Sequence, residues 1–386
     1  MGTRADYIIV GAGLTGGTIA RLLADHGREV LVVERRNHLG GNVHDSLHHS
    51  RIRVHTYGPH YFRCSSRKVW DFVQRFSRFY RYEARAKAVV NGSYQDWPLN
   101  RSLLNAFPGW EKSRPAGPPR NFEEACLLKM PRTLYEAYVR GYTRKQWGVE
   151  PTSLDAALAD RVRMNHQRHS TLTPEHRFQG LPALGYAGLV GNLLAGIPCL
   201  LGTDYLKNRS EYQARKALVF SGSLDEFFGF DAGRLGYRGQ RRIHRYLPDA
   251  EHHQPCAQVN HPAAGDASPL RTIEWKYLMP PDERSKTRGT VITEEHPFAP
   301  QDPDQFEYPV PTAQNRHIYE EYRRRAEAVT RLVVCGRLGC YRYFDMDHVI
   351  ERAMSIAENL LGPNGHGHSF PSPQGGRAPK PEWVRF

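Results

Sequence analysis

Two apolar strands joined through a glycine turn open this chain, and no other segment constrains its fold as tightly. Asp6, Tyr7, Ile8, Ile9 and Val10 run into Gly11-Ala12-Gly13-Leu14-Thr15-Gly16, and Leu31-Val32-Val33 follows, ending at Glu34. An apolar run bounded by glycine reads as a buried parallel strand. Gly11 permits the tight turn, Gly13 lets the backbone approach a pyrophosphate, and Gly16 lets the helix pack close to the sheet. The first N–H groups of that helix then face the phosphates. Glu34, eighteen residues after Gly16, stands where a carboxylate accepts hydrogen bonds from a ribose. The glycines alone would predict only a tight turn. Set between two strands, with the acid at this distance, they predict a dinucleotide site.

A chain of 386 residues can hold two or three packed units. No apolar run is long enough to span a bilayer. Residues 1–5 lack the charged start and apolar core of a secretion signal, so no membrane insertion and a cytoplasmic location are expected. The six cysteines, Cys64, Cys126, Cys199, Cys256, Cys335 and Cys340, have no CxxC spacing, and metal binding is not expected. The formal charge of +13, from 53 Lys and Arg against 40 Asp and Glu, favours an anionic partner. The basic residues are spread, without a run or an Arg/aromatic repeat. A phosphorylated small molecule therefore fits better than nucleic acid.

The order of segments predicts an α/β protein: a discontinuous, Rossmann-like FAD-binding domain with an inserted helical domain and an antiparallel β-sheet domain. Apolar positions over 67–80 have helical spacing. Helices are also expected at 122–130 and 132–148, split by Pro131, and at 317–331 and 345–361. Strand-like segments broken by Gly, Pro, Asn and Asp fill 211–300, and Leu332-Val333-Val334 is a short buried strand. The expected division is 1–85, 200–235 and 330–361 for the nucleotide domain and 101–160 for the helical domain. Residues 86–100, 161–199 and 236–329 form the sheet domain, and 362–386 a poorly ordered tail.

Five clusters carry the chemistry. They are Glu34-Arg35-Arg36 with Leu39-Gly40-Gly41-Asn42; His55 to Phe62, which contains Tyr57-Gly58-Pro59-His60; Gly141-Tyr142-Thr143-Arg144-Lys145-Gln146-Trp147-Gly148; Phe178 to Pro182 with Gly185-Tyr186; and Gly336 to Asp347. Together, with Ser221 to Phe228, they resemble the UDP-galactopyranose mutase family from about residue 5 to 361. The Tyr142–Gly148 and Gly336–Met346 segments are the most specific.

That resemblance implies a flavin-dependent mutase interconverting pyranose and furanose forms of a nucleotide sugar through a covalent flavin N5–sugar adduct, with UDP-galactose as the default substrate. FAD would be active when reduced, with NAD(P)H or another reductant as electron donor, and the implied assembly is a homodimer. Gly11, Gly13, Gly16, Glu34, Arg35, Gly41 and Asn42 would bind the FAD diphosphate, ribose or adjoining groups. Gly58, His60, Arg337, Asp345 and Met346 would lie on the flavin side. Arg163, with Arg161 as fallback, and Arg271 would hold the diphosphate, since arginine's planar fork suits phosphate oxygens. Tyr142, Trp147, Asn260, Tyr308, Tyr343 and Asp345 would line the nucleoside and sugar. His60, Arg163 and Arg271 are the expected catalytic set.

The departures cluster at base and ribose contacts. The family's Pro-Val-Arg-Phe is Arg161-Val162-Arg163-Met164 here, no aromatic residue stands between Arg163 and Phe178, and Asn-Tyr-Thr-Asp becomes Asn260-His261-Pro262-Ala263. Arg63 replaces a common histidine. Such contacts govern specificity, so the same chemistry on another nucleotide sugar, for example a GDP-linked one, is the main alternative. An amine-oxidase-type redox flavoenzyme shares the N-terminal glycines, as would a non-catalytic FAD- or polyanion-binding module.

Overall fold

The glycine turn sits at the centre of a five-stranded parallel sheet. The computed structural model describes residues 3–165, 172–173, 175–263, 265 and 268–362; the expected tail beyond Gly362 lies outside them. Strands β1 (Thr3–Val10), β2 (Val30–Val33), β3 (Cys199–Leu200), β4 (Tyr212–Phe220) and β5 (Leu332–Val334) lie in the order β3-β2-β1-β4-β5, all parallel. The order reverses between β1 and β4, and in such sheets ligands bind beyond the carboxyl ends of the strands at that point. Strand alternation loads both faces. Tyr7, Ile9, Val32 and Val219 meet helix α1 (Leu14–Asp25) and the last helix, Met346–Leu361. Ile8, Leu31 and Val33 meet Tyr205 on the other face. The Tyr7 hydroxyl donates to the carbonyl of Leu360 at 3.0 Å, tying the first strand to the last helix.

A seven-stranded sheet forms the second unit. Its order is Tyr308–Pro309, Tyr237–Leu247, Thr290–Phe298, Arg271–Glu274, Gln258–Asn260, Ala86–Val90 and Ser93–Trp97. Pairing is antiparallel apart from Gln258–Asn260 on Ala86–Val90. The helical unit has its own core around Phe122, Met130, Tyr135, Val139 and Trp147. Its helical run from Arg132 to Trp147 contains a wide π-type turn at Glu136–Arg140, a feature frequent at functional sites. Among the described residues no helix is long and apolar enough to cross a membrane, and the six cysteines are free thiols.

Two segments depart from the expected division. Phe178–Pro182 pairs with Phe62–Cys64 and Phe79–Arg81, and Gly185–Leu193 packs into the core around α1. Helix Ala313–Ala328 buries Tyr319 and Tyr322 against Phe220, Leu332 and Val334. Both belong with the parallel sheet rather than with the antiparallel unit. The helix expected over 67–80 stops at Gln74, and Phe79–Arg81 is a strand, because the apolar side chains serve two successive packing surfaces.

Candidate active site

The glycine cradle is built from two loops in contact. Gly11 has φ +104°, and a Cβ there would lie 2.1 Å from the Ser221 hydroxyl; a Cβ on Gly16 would lie 2.0 Å from the Gly11 carbonyl oxygen. Both positions are closed by protein. Gly13 is different, because its nearest neighbour would be 3.8 Å away, at Gly41. Gly40 donates its N–H to the Ala12 carbonyl at 2.9 Å, and Gly13 and Gly40 form a parallel bridge. Two glycine loops thus back onto each other at the start of α1, leaving bare backbone at Gly13 and a helix N-terminus facing outward. An FAD diphosphate fits this cradle.

Glu34, at the end of β2, is 6% exposed. Its carboxylate accepts the Ala12 N–H at 2.7 Å and the Arg36 N–H at 2.9 Å. It holds the turn together and keeps one lone pair per oxygen for a ribose. Arg35 does not face the cradle as expected: its guanidinium pairs with Glu226 at 2.8 Å, Asp304 at 3.1 Å and Asp204 at 3.7 Å. Arg36 takes that place. It donates to Asn42 at 2.8 Å and lies 4.2 Å over the Tyr57 ring. The sequence offers two adjacent arginines just past a strand, and only the packing decides which one turns inward.

The turn at Gly58–His60 rests on a buried chain of charges. Arg242 donates to Glu307 through two nitrogens at 2.8 and 2.7 Å and to Glu295 at 3.0 Å, and Arg271 pairs with the other oxygen of Glu295. Gly58 (φ +89°) lies directly on this chain: a Cβ would be 2.5 Å from Glu295 Oε1 and 3.2 Å from Arg242. Burial opposes the charges of Arg271 and Glu295, yet each holds the other ionised, with Arg271 raised and Glu295 lowered.

His60 is neutral. Burial, helped by His55 and the cations Arg337 and Arg242, pushes its pKa well down. Its Nδ1 is 2.8 Å from the Gly58 carbonyl oxygen, which can only accept, so Nδ1 carries the proton and Nε2 is left as an acceptor. The His60 N–H donates to His55 Nδ1 at 3.0 Å. The buried His55 is itself pushed down to about 4, by burial above all.

Beyond this turn, three tyrosines and three arginines converge from all three units. The Tyr308 and Tyr343 rings stack with centroids 6.1 Å apart. Arg337 lies 4.5 Å from the Tyr343 ring and 5.5 Å from that of Tyr308, and it donates to the Phe344 carbonyl at 3.0 Å. Arg161 lies 3.7 Å over the same Tyr343 ring. Tyr142, on the helix after the π-type turn, stands against Arg271, and burial raises its pKa and that of Tyr308. Both phenols stay protonated and can donate. Asp345 accepts from Tyr343 at 3.2 Å and from Arg63 at 3.0 Å. Burial opposes its charge, but Arg63 and Arg161 outweigh it, and the carboxyl stays well below the usual range.

Other expected residues stand as follows. Arg163 pairs with Glu175, and burial together with Arg63 and Arg161 lowers its pKa; Arg161, the fallback, is the one on the tyrosines. Asn260 is buried, accepts from Gln258 at 2.9 Å and is the cross-strand neighbour of Arg271. Trp147 is 8% exposed and belongs to the helical core against which Tyr308 packs. Met346 opens the last helix and packs on the main core.

The Lys145–Gly148 segment acts mainly through its backbone. Arg238 donates to the carbonyls of Gln146 at 2.8 Å and Lys145 at 3.0 Å, capping the helix, and a Cβ on Gly148 (φ +68°) would meet Arg238 at 2.6 Å. Lys145 donates to the Pro269 carbonyl at 3.2 Å and the Ser268 hydroxyl at 3.1 Å, fastening the helix to the loop before Arg271. Neither Arg238 nor Arg242 and Glu295 is singled out by the sequence, since their partners are distant in the chain.

Comparison with known proteins follows the same geometry. The family model of UDP-galactopyranose mutase matches residues 137–343, and that of an NAD(P)-binding Rossmann-like domain matches 9–76. The chain is 33% identical over 384 residues to "Probable UDP-galactopyranose mutase" of Klebsiella pneumoniae, covering 95% of this chain and 97% of the relative. It is 31% identical to dTDP-fucopyranose mutase of Escherichia coli, covering 92% and 98%. A solved structure of reduced UDP-galactopyranose mutase superposes with a TM-score of 0.74 at 15% identity, over 95% of each chain. From the glycine cradle to the tyrosine–arginine cluster, and along almost the whole sequence, the chain belongs to the UDP-galactopyranose mutase family.

Proposed function

We propose that the protein is a flavin-dependent mutase that interconverts the pyranose and furanose forms of a nucleotide sugar, with UDP-galactose as the default donor. The observation that carries this reading is the convergence of Arg161, Arg271 and Arg337 with Tyr142, Tyr308 and Tyr343. Around it stand six arginines (63, 161, 163, 242, 271, 337) against four carboxylates (Glu175, Glu295, Glu307, Asp345). Buried Asp347, within electrostatic reach of Asp345 and Arg63, adds a fifth carboxylate; the cluster keeps an excess of positive charge, which suits a diphosphate. FAD is the cofactor of this family; reduced and bound, it supplies a nucleophilic N5 for the anomeric carbon.

The chain's own groups do the rest. Gly13 and the start of α1 accept the FAD diphosphate, with Glu34 on the ribose and Arg36 beside Asn42. Arg271, held in place by Glu295, and Arg161, held on the Tyr343 ring, grip the substrate diphosphate and stabilise it as it departs. Tyr142 and Tyr308 donate to its oxygens. His60 Nε2 accepts a hydrogen bond, and its neutral state adds no charge to an already cationic site.

The nucleotide and sugar are less constrained. The two relatives at 33% and 31% identity carry different names, UDP-galactopyranose and dTDP-fucopyranose mutase, and this chain's departures fall around the base, so another nucleotide sugar is the second reading. The test is an anaerobic assay of FAD-loaded, dithionite-reduced protein with UDP-galactopyranose, dTDP-fucopyranose and GDP-linked pyranoses, reading products as ring forms. Furanose product from one donor is expected, with the oxidised protein inactive. No ring change with any donor, or substrate-driven reduction of the flavin without dithionite, would refute the mutase reading; the latter outcome would select an amine-oxidase-type enzyme.

A further inference from the structure

Arg63 stands where the family commonly has histidine, and its placement gives it a task that a neutral side chain could not perform. It lies on the short strand Phe62–Cys64, and its guanidinium pairs with Asp345 at 3.0 Å. The other Asp345 oxygen accepts from Tyr343 at 3.2 Å. Each oxygen of the carboxylate thus has one protein partner, and the guanidinium of Arg63 offsets its charge. Arg161, within electrostatic reach of Asp345, instead lies on the Tyr343 ring at 3.7 Å and forms no ion pair among the described residues. A lone carboxylate between cations pairs with whichever guanidinium comes nearest, and a guanidinium so engaged has fewer donors left for phosphate.

We propose that Arg63 is a positioning residue: by neutralising Asp345 it keeps Arg161 unpaired on the face of Tyr343, ready for the diphosphate of the substrate. This inference rests on the reading of the cluster as a nucleoside-diphosphate site. Its physical content is a competition between two anions, the Asp345 carboxylate and the diphosphate, for Arg161. Arg63 decides that competition in favour of the ligand. It adds no contact of its own to the phosphates.

The test is equilibrium binding of UDP, which lacks the transferred hexose and so reads no contact between Asp345 and a hydroxyl of that sugar, to FAD-loaded wild type, Arg63→Gln, Arg63→Lys, Asp345→Asn and the double variant Arg63→Gln/Asp345→Asn. UDP affinity is expected to fall about tenfold in Arg63→Gln, the scale of one unscreened charge at a partly buried site. It should stay within about threefold of wild type in Arg63→Lys and return to that range in the double variant, where no carboxylate remains to capture Arg161. A merely structural Arg63 would make the double variant at least as weak as the single one, and that result overturns the proposal. So does an Arg63→Gln affinity within about twofold of wild type. If Arg63→Gln does not fold, Arg63→His, read at about pH 8 where the imidazole is neutral, takes its place alone and with Asp345→Asn, with the same expected and overturning results. Wild type that binds neither UDP, dTDP nor GDP removes the underlying site reading, a failure distinct from an unaffected Arg63 variant. If dTDP or GDP binds better than UDP, the series is read with that nucleotide.

Discussion

Replacing Glu295 with glutamine tests the buried charge chain directly, and it should move stability and ligand affinity in opposite directions. The Glu295 side chain is fully buried and pairs with both Arg271 and Arg242. Arg242 keeps the two oxygens of Glu307 after the change. Arg271 has no other ion pair among the described residues. Glutamine preserves the shape and one acceptor, so the loss is that of the charge. Breaking a buried pair from one side costs about 3–5 kcal/mol. The retained acceptor and the Tyr142 phenol against Arg271 place the expected value at the lower end, about 3 kcal/mol, a large part of the stability of an ordinary domain. The same uncompensated guanidinium attracts a diphosphate more strongly. UDP, or whichever nucleoside diphosphate binds best, should therefore bind about tenfold tighter. At a concentration of about 100 times its Kd it should return roughly 2.7 kcal/mol. Urea unfolding followed by tryptophan fluorescence, with and without the nucleotide, measures both quantities. A destabilisation below about 1 kcal/mol, or weaker nucleotide binding in a folded variant, would refute the assignment of Arg271 as a diphosphate ligand held by Glu295.

Two further outcomes separate local from tertiary effects. Gly16→Ala places a Cβ 2.0 Å from the Gly11 carbonyl oxygen, so α1 must move off the sheet; a loss of about 1–3 kcal/mol together with lost FAD is expected. Gly13→Ala, with nothing nearer than 3.8 Å, should keep its stability and still lose FAD, read as flavin absorbance after gel filtration; FAD retained at full occupancy would exclude Gly13 from the phosphate site. The pH dependence of stability should carry the signature of His55. Its folded value is pushed down to about 4 from 6.5, so between those values the unfolded chain takes up the proton and the fold does not. Stability is then complete above pH 6.5 and falls by about 3 kcal/mol as the pH drops toward 4. His55→Asn should flatten that slope, and unfolding midpoints at pH 7 and 4.5 that are equally far apart in both proteins would contradict the assignment.

Much of this protein is legible where the deciding interactions are short in sequence. The strand, glycine turn and helix at 3–25, the Pro131 break and the final strand and helix follow from side-chain periodicity and backbone sterics, which neighbouring residues alone determine. The chemical class follows from the resemblance carried by Tyr142–Gly148 and Gly336–Met346. Harder to read were the choices between near-equivalent side chains. Arg35 and Arg36 differ by one position, and Arg161 and Arg163 by two.

The sequence by itself determined the parallel nucleotide-binding start, the inserted helical and sheet units, the family and hence the mutase chemistry. Tertiary structure decided that 178–199 and 313–328 pack on the parallel sheet, that Arg36 rather than Arg35 turns to the cradle, and that Gly58 rests on Glu295, Arg242 and Arg271. It also decided that Arg161 lies on Tyr343 while Arg63 occupies Asp345. The physical reason is the range of the forces. Backbone conformation answers to adjacent residues, whereas a charge answers to whatever counter-charge the fold brings within a few ångströms, and those counter-charges lie up to hundreds of residues away along the chain.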